Sequence, residues 1–183
     1  MNIIDDIVPV KTQDIIKDMC LNTNFPWYYW ERTEEHNPFN IEEIYQTGGF
    51  FHSFYGGSAA RSPLGKYVAP VLNYYLDSQK QTLKSLLRCK ANFLTPIANN
   101  SGKHNIPHTD DEDHHLVLIY YVIDSDGDTV FFDNNLQITN RVTPKQGRIV
   151  AFDGSILHAA SNPIKFDKRV VINYNYTIWI SFI

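Results

Sequence analysis

The second half of the chain is a series of short predicted strands, and this pattern limits the fold more than any other feature. Apolar runs rich in β-branched and aromatic residues recur, with turn-rich pieces such as "DSDGD" and "TPKQG" between them. The predicted strands cover residues 91–97, 116–123, 129–132, 136–139, 148–152 and 169–183. Close-spaced strands of this kind favour an antiparallel sandwich or barrel.

Two helices are predicted before these strands. The first covers residues 11–20, with Thr12 as its N-cap. Its apolar side is expected to carry Ile15, Ile16 and Met19. The second covers residues 68–88, because one helical stripe collects Leu72, Tyr75, Leu76, Leu83, Leu86 and Leu87. Helices followed by a run of strands indicate the α+β class.

The last predicted strand has two different faces, because alternate residues of a strand point to opposite sides. One face carries Val170, Ile172, Tyr174 and Tyr176, and the other carries Arg169, Val171, Asn173 and Asn175. The N-terminal helices are expected to cover the apolar face. The mixed face, with Arg169, is expected to line a barrel interior or a site.

Length and composition exclude several classes of protein. A chain of 183 residues suits one domain, here residues 1–183. The net charge of −4 argues against broad binding to nucleic acid. Cys20 and Cys89 lie far apart, so we expect two buried thiols and no disulfide framework. No apolar run is long enough for a membrane span, and acidic residues stand where a signal peptide needs basic ones. The expected location is the cytoplasm.

Residues 104–122, "HNIPHTDDEDHHLVLIYYV", concentrate possible metal ligands, with four of the seven histidines. Residues two apart in a strand point the same way, so His108 and Asp110 can present an imidazole and a carboxylate to one point. A lone HxD is a weak signal. The acidic residues that follow are expected to form a solvated loop, and the other histidines to be structural: Asp111, Glu112 and Asp113, with His104, His114 and His115.

His158 is the candidate third ligand, because it follows a predicted strand and a tight turn. His108, Asp110 and His158 form a set of two histidines and one carboxylate, which leaves about three positions of a metal open, as in non-haem Fe(II) sites. A structural zinc would need four protein ligands in a closed shell.

Arg169 stands eleven residues after His158, at the start of the last strand. A buried guanidinium on an inward face needs an anion, and its planar fork matches a carboxylate. A dicarboxylate such as 2-oxoglutarate can give one end to the metal and the other to the arginine. The alternative is that Arg169 pairs with a surface acid.

Together these residues resemble the 2-oxoglutarate/Fe(II)-dependent dioxygenases, and most closely the prolyl-4-hydroxylase-like branch with its small phage and bacterial members. The residues that carry the resemblance are the HxD at 108–110, the distal His158 and the arginine after it. "LIYYVIDSDGDTVFFD" and "VTPKQGRIVAFDGSILHAA" are also similar to segments of that branch. The resemblance covers about residues 88–180. It implies a double-stranded β-helix, or jelly roll, at 91–183, with residues 1–90 as helical and aromatic support packed on one sheet.

The resemblance also implies roles for single residues. His108, Asp110 and His158 would bind Fe(II), and Arg169 would bind the distal carboxylate of 2-oxoglutarate. Tyr121 matches a residue that helps to hold this carboxylate. Two further co-substrate contacts are expected at Thr129 and Asn92. The sequence departs from the family at Val171, where a small or hydroxyl residue is usual, and in "DGDT", where two glycines are usual.

The implied activity is hydroxylation of a C–H bond, of a prolyl or another amino-acid residue, with O₂ as the second co-substrate and succinate and CO₂ as products. No membrane or nucleic-acid partner is expected, and the phage versions imply action in a host cytoplasm. Two alternatives stay open: a non-catalytic cupin-like barrel, and a metalloenzyme that uses the triad without 2-oxoglutarate, for example in hydrolysis.

The N-terminal half is expected to select the substrate. Residues 24–32 and 48–62 are rich in aromatics and could form either a lid or core. The core interpretation is favoured for Phe25, Trp27, Tyr28 and Trp30, because large aromatics usually supply buried area. His52 and Arg61 are expected at the surface.

Overall fold

Two antiparallel sheets form the body of the protein, whose computed structural model describes residues 1–31, 47–57, 59–98, 103–111 and 113–179. The helices are α1 (Val10–Leu21) and α2 (Gly65–Ser78). The strands are β1 (Asn2–Ile4), β2 (Tyr28–Trp30), β3 (Gly49–Gly56), β4 (Ala59–Ala60), β5 (Leu83–Leu94), β6 (Leu116–Tyr121), β7 (Thr129–Phe132), β8 (Ile138–Val142), β9 (Ile149–Asp153), β10 (His158–Ala160) and β11 (Arg169–Ile178).

The larger sheet has the strand order β1-β9-β6-β11-β5-β3-β2, with β4 paired to β3. The smaller sheet has the order β10-β7-β8. The paired strands are all antiparallel, and in the larger sheet most neighbours are not consecutive in the chain, as β9 beside β6 and β11 beside β5 show. This is the double-stranded β-helix of an α+β protein, so the predicted fold class is confirmed.

Two apolar layers hold the sheets in place. Between the sheets, residues of β6 and β9 pack against Phe131 of β7 and Val142 of β8. On the other side of the larger sheet, its outward side chains pack with the two helices. Each buried aliphatic or aromatic side chain in these layers contributes roughly 1.5–3 kcal/mol to folding. The larger sheet is therefore packed on both of its faces.

Strand β11 shows the two faces that its alternation predicts. Tyr174 and Tyr176 are buried in the layer that contains the helices, and the Tyr174 hydroxyl donates a hydrogen bond of 2.8 Å to the carbonyl of Val68 in α2. Arg169, Val171 and Asn173 line a cleft on the opposite face. The described strand ends at Ile178, and residues 180–183 of the predicted strand lie outside the described residues.

Helix α1 begins earlier than the sequence suggests. Its N-cap is Pro9, whose carbonyl accepts hydrogen bonds from the Thr12 and Gln13 amides, so the prediction of Thr12 as the cap was wrong. The predicted apolar side was also partly wrong, because Ile15 is exposed and Met19 is only partly buried. The buried stripe is instead Gln13, Ile16 and Cys20.

The second predicted helix was wrong in its C-terminal half, because α2 ends at Ser78 and β5 begins at Leu83. The chain leaves the helix at Lys80, which has a φ of 53°, while the Gln81 amide donates back to the carbonyl of Leu76. Glycine usually occupies such a left-handed position, so a lysine there gives no sequence signal for a helix end. Leu83, Leu86 and Leu87 happen to continue the helical spacing.

Other strands begin or end a few residues away from their predicted bounds. β7 has the predicted bounds of 129–132, whereas β8 covers 138–142 and not 136–139. Leu136 has a φ of 62° and belongs to the turn before β8. β1 was not predicted; it forms the edge of the larger sheet and pairs with β9, from Asn2 opposite Ala151 to Ile4 opposite Ile149.

Within the described ranges, no helix has the length and apolarity that a membrane crossing requires.

Candidate active site

His108, Asp110 and His158 lie together at one end of the smaller sheet. One ligand atom from each can be chosen so that all three lie within 4.8 Å of one another. His108 pairs with His158, the first residue of β10, through two backbone hydrogen bonds of 3.0 Å, one in each direction. This bridge puts the two imidazoles side by side, with ring centroids 4.7 Å apart. Asp110 follows two residues after His108, so its carboxylate joins them.

Hydrogen bonds to the backbone fix the tautomers of both histidines. The Nδ1 atom of His108 lies 3.0 Å from the carbonyl of Ile106, and that of His158 lies 3.1 Å from the carbonyl of Ile156. A carbonyl only accepts, so each Nδ1 carries the proton and each Nε2 keeps its lone pair for a ligand. Metal-binding histidines are oriented in this way.

The ring of His158 is also held by aromatic packing. Its centroid lies 4.8 Å from that of Phe152 and 6.4 Å from that of Phe131. Burial and the neighbouring His108 lower the pKa of His158 to about 4, against the opposing effect of Asp110. The imidazole is therefore neutral at physiological pH, as a metal ligand must be.

Asp110 is an ionised carboxylate although it is buried. Burial acts to raise its pKa, but the surrounding His158, Arg88 and His108 and a hydrogen bond from Asn173 together hold the pKa below its usual range. The Asn173 amide donates 3.1 Å to Oδ2, and the Arg88 guanidinium forms an ion pair with Oδ1. Two imidazoles and one carboxylate are a donor set that suits Fe(II). The residues present thus fit this metal.

A cleft of about 160 Å³ opens beside the triad. The triad lines one end of the cleft and Arg169 lines the other. Between them lie Asn92 of β5 and Val171 of β11, which are opposite each other in the sheet. The side of the cleft formed by β2 and β3 carries Trp30, Phe50 and Phe51. The cleft is therefore polar where the triad and Arg169 lie and aromatic on the other side.

Arg169 is the buried cation of this cleft, with 2% of its surface exposed. Its Nε donates to the carbonyl of Gly127 at 2.7 Å and its NH2 group to the Thr129 hydroxyl at 2.8 Å. Among the described residues, no carboxylate lies within ion-pair distance of its guanidinium. Burial lowers its pKa from the ordinary value, with opposing effects of Tyr121 and Asp128. The surface-pair alternative was therefore wrong, and a buried charge of this kind needs a bound anion.

The turn before β7 is shaped around Arg169. A Cβ atom on Gly127 would lie 2.5 Å from the Ser161 carbonyl oxygen and 2.9 Å from Cδ of Arg169, so only glycine fits there. Thr129, two residues later, accepts hydrogen bonds at its hydroxyl from both Arg169 and Tyr121. The single glycine of "DGDT" thus supplies both the close approach and the carbonyl for the arginine.

The predicted co-substrate residues do not all reach the cleft. Arg169, Thr129 and Asn92 line it. Tyr121 is fully buried, and its hydroxyl donates to Thr129 at 2.6 Å, with its ring 5.9 Å from the arginine carbon Cζ. Tyr121 therefore supports Thr129 and Arg169 from behind, and its direct contact with a co-substrate stays a prediction.

Two residues of the site were missed. Arg88 was assigned to a helix, which hid its place on a strand beside Asp110. Asn173 shares the inward face of β11 with Arg169, and this spacing was a signal for its position.

The other histidines lie elsewhere, and the triad alone gathers ligands at metal spacing within the part of the chain that the structure covers. His115 is buried, and its Nδ1 lies 2.7 Å from the Asp113 carbonyl, whereas His114 is exposed. His104 packs on Phe132. Glu112 of the predicted solvated loop lies outside the described residues, and its neighbours Asp111 and Asp113 are exposed.

The aromatic N-terminal segment divides between core and cleft. Phe25 is buried and Trp27 packs against the core, as predicted. The prediction of core was wrong for Tyr28, which is 57% exposed, and for Trp30, which is 38% exposed and lines the cleft. His52 is buried, so its predicted place at the surface was wrong.

That burial of His52 follows from its neighbours. Its ring packs on Phe25 and Phe54, and its Nδ1 lies 2.9 Å from the carbonyl of Pro26. Arg61 is exposed, as expected.

Several solved structures share this fold. A prolyl-4-hydroxylase from Pseudomonas putida matches with a TM-score of 0.64 and 15% identity, over 96% of this chain and 91% of that one. The viral collagen prolyl hydroxylase of Paramecium Bursaria Chlorella virus-1, solved with 2-oxoglutarate, matches with a TM-score of 0.58 and 15% identity, over 96% of each chain. A Trichoplax adhaerens prolyl hydroxylase matches with a TM-score of 0.61 and 14% identity, over 96% and 82%. No curated protein sequence matches the chain.

The sequence itself matches a family model. Residues 94–177, which contain the triad, Arg169 and most strands of the two sheets, match the model of the 2OG-Fe(II) oxygenase superfamily. Over these residues the chain is similar to the 2OG-Fe(II) oxygenase superfamily, whose enzymes use Fe(II) and 2-oxoglutarate.

Proposed function

We propose that this protein hydroxylates a C–H bond of its substrate, with His108, Asp110 and His158 as Fe(II) ligands and Arg169 as the anchor of 2-oxoglutarate. The observation that carries the proposal is the combination of these groups in one cleft: an open three-ligand site and a buried arginine without a carboxylate partner in the described chain. A hydrolase that uses the triad would have no need of that arginine.

Bound iron and 2-oxoglutarate supply the oxidising chemistry, in which one atom of O₂ enters the substrate C–H bond and the other enters succinate as CO₂ leaves. The protein binds and orients the participants. The Nε2 atoms of the two histidines and the Asp110 carboxylate would hold the metal, and the guanidinium of Arg169 would hold the far carboxylate in a buried part of the cleft. Thr129 and Tyr121 keep the arginine in place from behind.

We further propose that the substrate is a peptide with an exposed prolyl residue. The cleft wall of Trp30 and Phe51 offers apolar rings on which a proline ring can stack. The Trichoplax adhaerens enzyme named above was solved with a peptide of a hypoxia-inducible factor, which supports a peptide for this fold. Synthetic proline-containing peptides, incubated with the Fe(II)-loaded protein, should gain one oxygen atom by mass spectrometry. Peptides with alanine in place of proline are the control.

The binding of 2-oxoglutarate is tested first, without any substrate. Anaerobic titration of the Fe(II)-loaded protein with 2-oxoglutarate should give a weak visible metal-to-ligand charge-transfer band. The Arg169→Ala variant should need far more 2-oxoglutarate for the same band, because the buried cation is lost. A wild-type protein that binds iron but shows no band would exclude 2-oxoglutarate and favour another metalloenzyme. A protein that binds no iron would favour the non-catalytic barrel.

A further inference from the structure

The two oxygens of Asp110 have different partners. Oδ2 lies 3.9 Å from Nε2 of His158 and accepts a 3.1 Å hydrogen bond from Asn173. Oδ1 is turned to the guanidinium of Arg88, with which it forms an ion pair. The oxygen on the side of the imidazoles is therefore Oδ2, and Oδ1 is already occupied by a cation.

This division matters because a carboxylate can bind a metal through one oxygen or through two. Two imidazoles and one oxygen fill three of six octahedral positions, and three stay open. A second oxygen from the same carboxylate would leave two. Chelation by 2-oxoglutarate takes two positions and O₂ takes one, so the proposed reaction needs the one-oxygen mode.

We propose that Arg88 is a positioning residue that restricts Asp110 to one-oxygen binding and so keeps the third position of the metal open. The inference rests on the proposed function for the identity of the co-substrate. Asn173 acts with Arg88, because it holds Oδ2 on the side of the imidazoles.

The frame that holds these two residues is rigid. Arg88 lies on β5 and Asn173 on β11, which pair directly along their length, with Arg88 opposite Asn175 and Lys90 opposite Asn173. Asp110 itself lies outside any strand. Its carboxylate therefore takes its orientation from the sheet through these contacts, as ligands generally do from the groups behind them.

The guanidinium is suited to this task by its charge as well as its place. A guanidinium offers several N–H donors in a rigid fork and no acceptor, so it can act only as a donor to Oδ1. The carboxylate is 5% exposed and the guanidinium side chain 37%, so the pair spans the boundary between the buried site and the cleft. The ion pair between the Arg88 guanidinium and the Asp110 carboxylate is partly shielded from water, and this charge-assisted contact favours one orientation of the carboxylate.

The experiment uses the Co(II)-loaded protein, because cobalt takes the same ligands, has a visible spectrum that depends on coordination number, and binds 2-oxoglutarate without turnover. The variants are Arg88→Met and Arg88→Lys. The matched control is Lys90→Met, which removes the same charge from the same strand and the same cleft while the Arg88 contact remains. Visible absorption reports coordination, calorimetry reports 2-oxoglutarate affinity, and melting reports stability.

We expect Arg88→Met to bind Co(II) and to show an altered visible spectrum, both alone and with 2-oxoglutarate bound, because the second oxygen of Asp110 then takes the position that stays open in the wild type. 2-Oxoglutarate still finds its two positions, so its affinity should change little. Arg88→Lys should lie between Arg88→Met and the wild type, and Lys90→Met should match the wild type in both readouts. If Arg88→Met does not fold, the intermediate values of Arg88→Lys support the proposal, and wild-type values for it overturn the proposal.

An unchanged spectrum in Arg88→Met, with only a lower melting temperature, would show that Arg88 is merely structural. Equal changes in Arg88→Met and Lys90→Met would show an effect of charge alone and would also overturn the proposal. Failure of the proposed function looks different, because the wild-type Co(II) protein itself would then not bind 2-oxoglutarate. In that event the spectrum of the Co(II) protein still decides how Asp110 binds.

Discussion

Replacement of Gly127 by alanine is predicted to weaken 2-oxoglutarate binding by displacing Arg169. The added Cβ would meet the Ser161 carbonyl oxygen at 2.5 Å, Arg169 Cδ at 2.9 Å and the Pro163 nitrogen at 3.0 Å. Gly127 does not have a positive φ, so the change adds no backbone strain and acts by crowding alone. Crowding of this kind costs about 1–3 kcal/mol of folding free energy. For a protein of this size the melting temperature should fall by roughly 3–10 °C.

The effect on binding follows from one hydrogen bond. Arg169 donates from Nε to the Gly127 carbonyl at 2.7 Å, and the methyl group lies against the same side chain. A hydrogen bond to a charged group contributes about 1.5–3 kcal/mol, which is about tenfold to a hundredfold in the dissociation constant. Calorimetric titration of the Co(II)-loaded variant with 2-oxoglutarate measures this loss directly.

Gly57→Ala is the matched control. Gly57 has a φ of 60° and open space around a Cβ, so alanine there costs about 1–2 kcal/mol of backbone strain without a steric contact. The control should therefore lose comparable stability and keep its 2-oxoglutarate affinity. If Gly127→Ala melts lower but binds 2-oxoglutarate as tightly as the wild type, Arg169 does not depend on this turn or does not bind the co-substrate.

Four further variants test other parts of the structure. His158→Ala should bind Co(II) at least a hundredfold more weakly, by spectroscopic titration, because one of three ligands is lost; near-normal affinity would remove it from the ligand set. Arg169→Gln should raise the 2-oxoglutarate dissociation constant by about a hundredfold, and metal affinity should stay the same; equal loss of both would indicate general damage. Tyr121→Phe removes the 2.6 Å bond to Thr129 and should cost about 1 kcal/mol in denaturant unfolding, with only a few-fold loss of 2-oxoglutarate affinity. A loss as large as that of Arg169→Gln would instead place the tyrosine hydroxyl on the co-substrate. Asp5→Asn should cost about 1 kcal/mol at pH 7 and progressively less as the pH falls from about 4 through about 2, measured as melting temperature against pH.

The pH range for Asp5 follows from its partners. Hydrogen bonds from Arg148 and, to a smaller extent, from Lys145 lower the pKa of Asp5 from 3.8 to about 2, although burial acts in the opposite direction. A carboxyl group with a depressed pKa stabilises the fold fully above its unfolded pKa, and this contribution is lost as the pH falls through the folded value. The wild type and the variant should therefore begin to converge below about pH 4 and should become equally stable only below about pH 2. A difference that does not shrink between pH 4 and pH 2 would mean that the ion pair is not its source.

The residues of the triad were predictable because their signals are local or periodic. The HxD motif spans three residues, and the faces of β11 follow from simple alternation. The arrangement of the sheets was not available in this way. The partners of a strand are chosen by contacts far along the chain, as β1 with β9 shows. For the same reason nothing in the sequence placed Arg88 beside Asp110.

The misassigned helix has a definite physical cause. Leu83, Leu86 and Leu87 have spacings of three and four residues, which suit a helix as well as a strand with a partly buried face. The signal that would have decided between them is the end of α2, and there a lysine takes the left-handed conformation without any glycine. The aromatic segment before β3 was ambiguous in another way, since large rings cover cores and line clefts equally well.

The backbone bridge between His108 and His158 makes metal binding part of the folding reaction. These residues are fifty positions apart, and their two mutual hydrogen bonds exist only once the long loop between them has closed. The unfolded chain therefore has no assembled site, and each metal ion bound shifts the equilibrium toward the folded state, by about 2.7 kcal/mol when its concentration is a hundred times the dissociation constant. In a cell, the supply of iron would thus set the lifetime of the protein as well as its activity, because iron-starved copies would unfold and be degraded more readily.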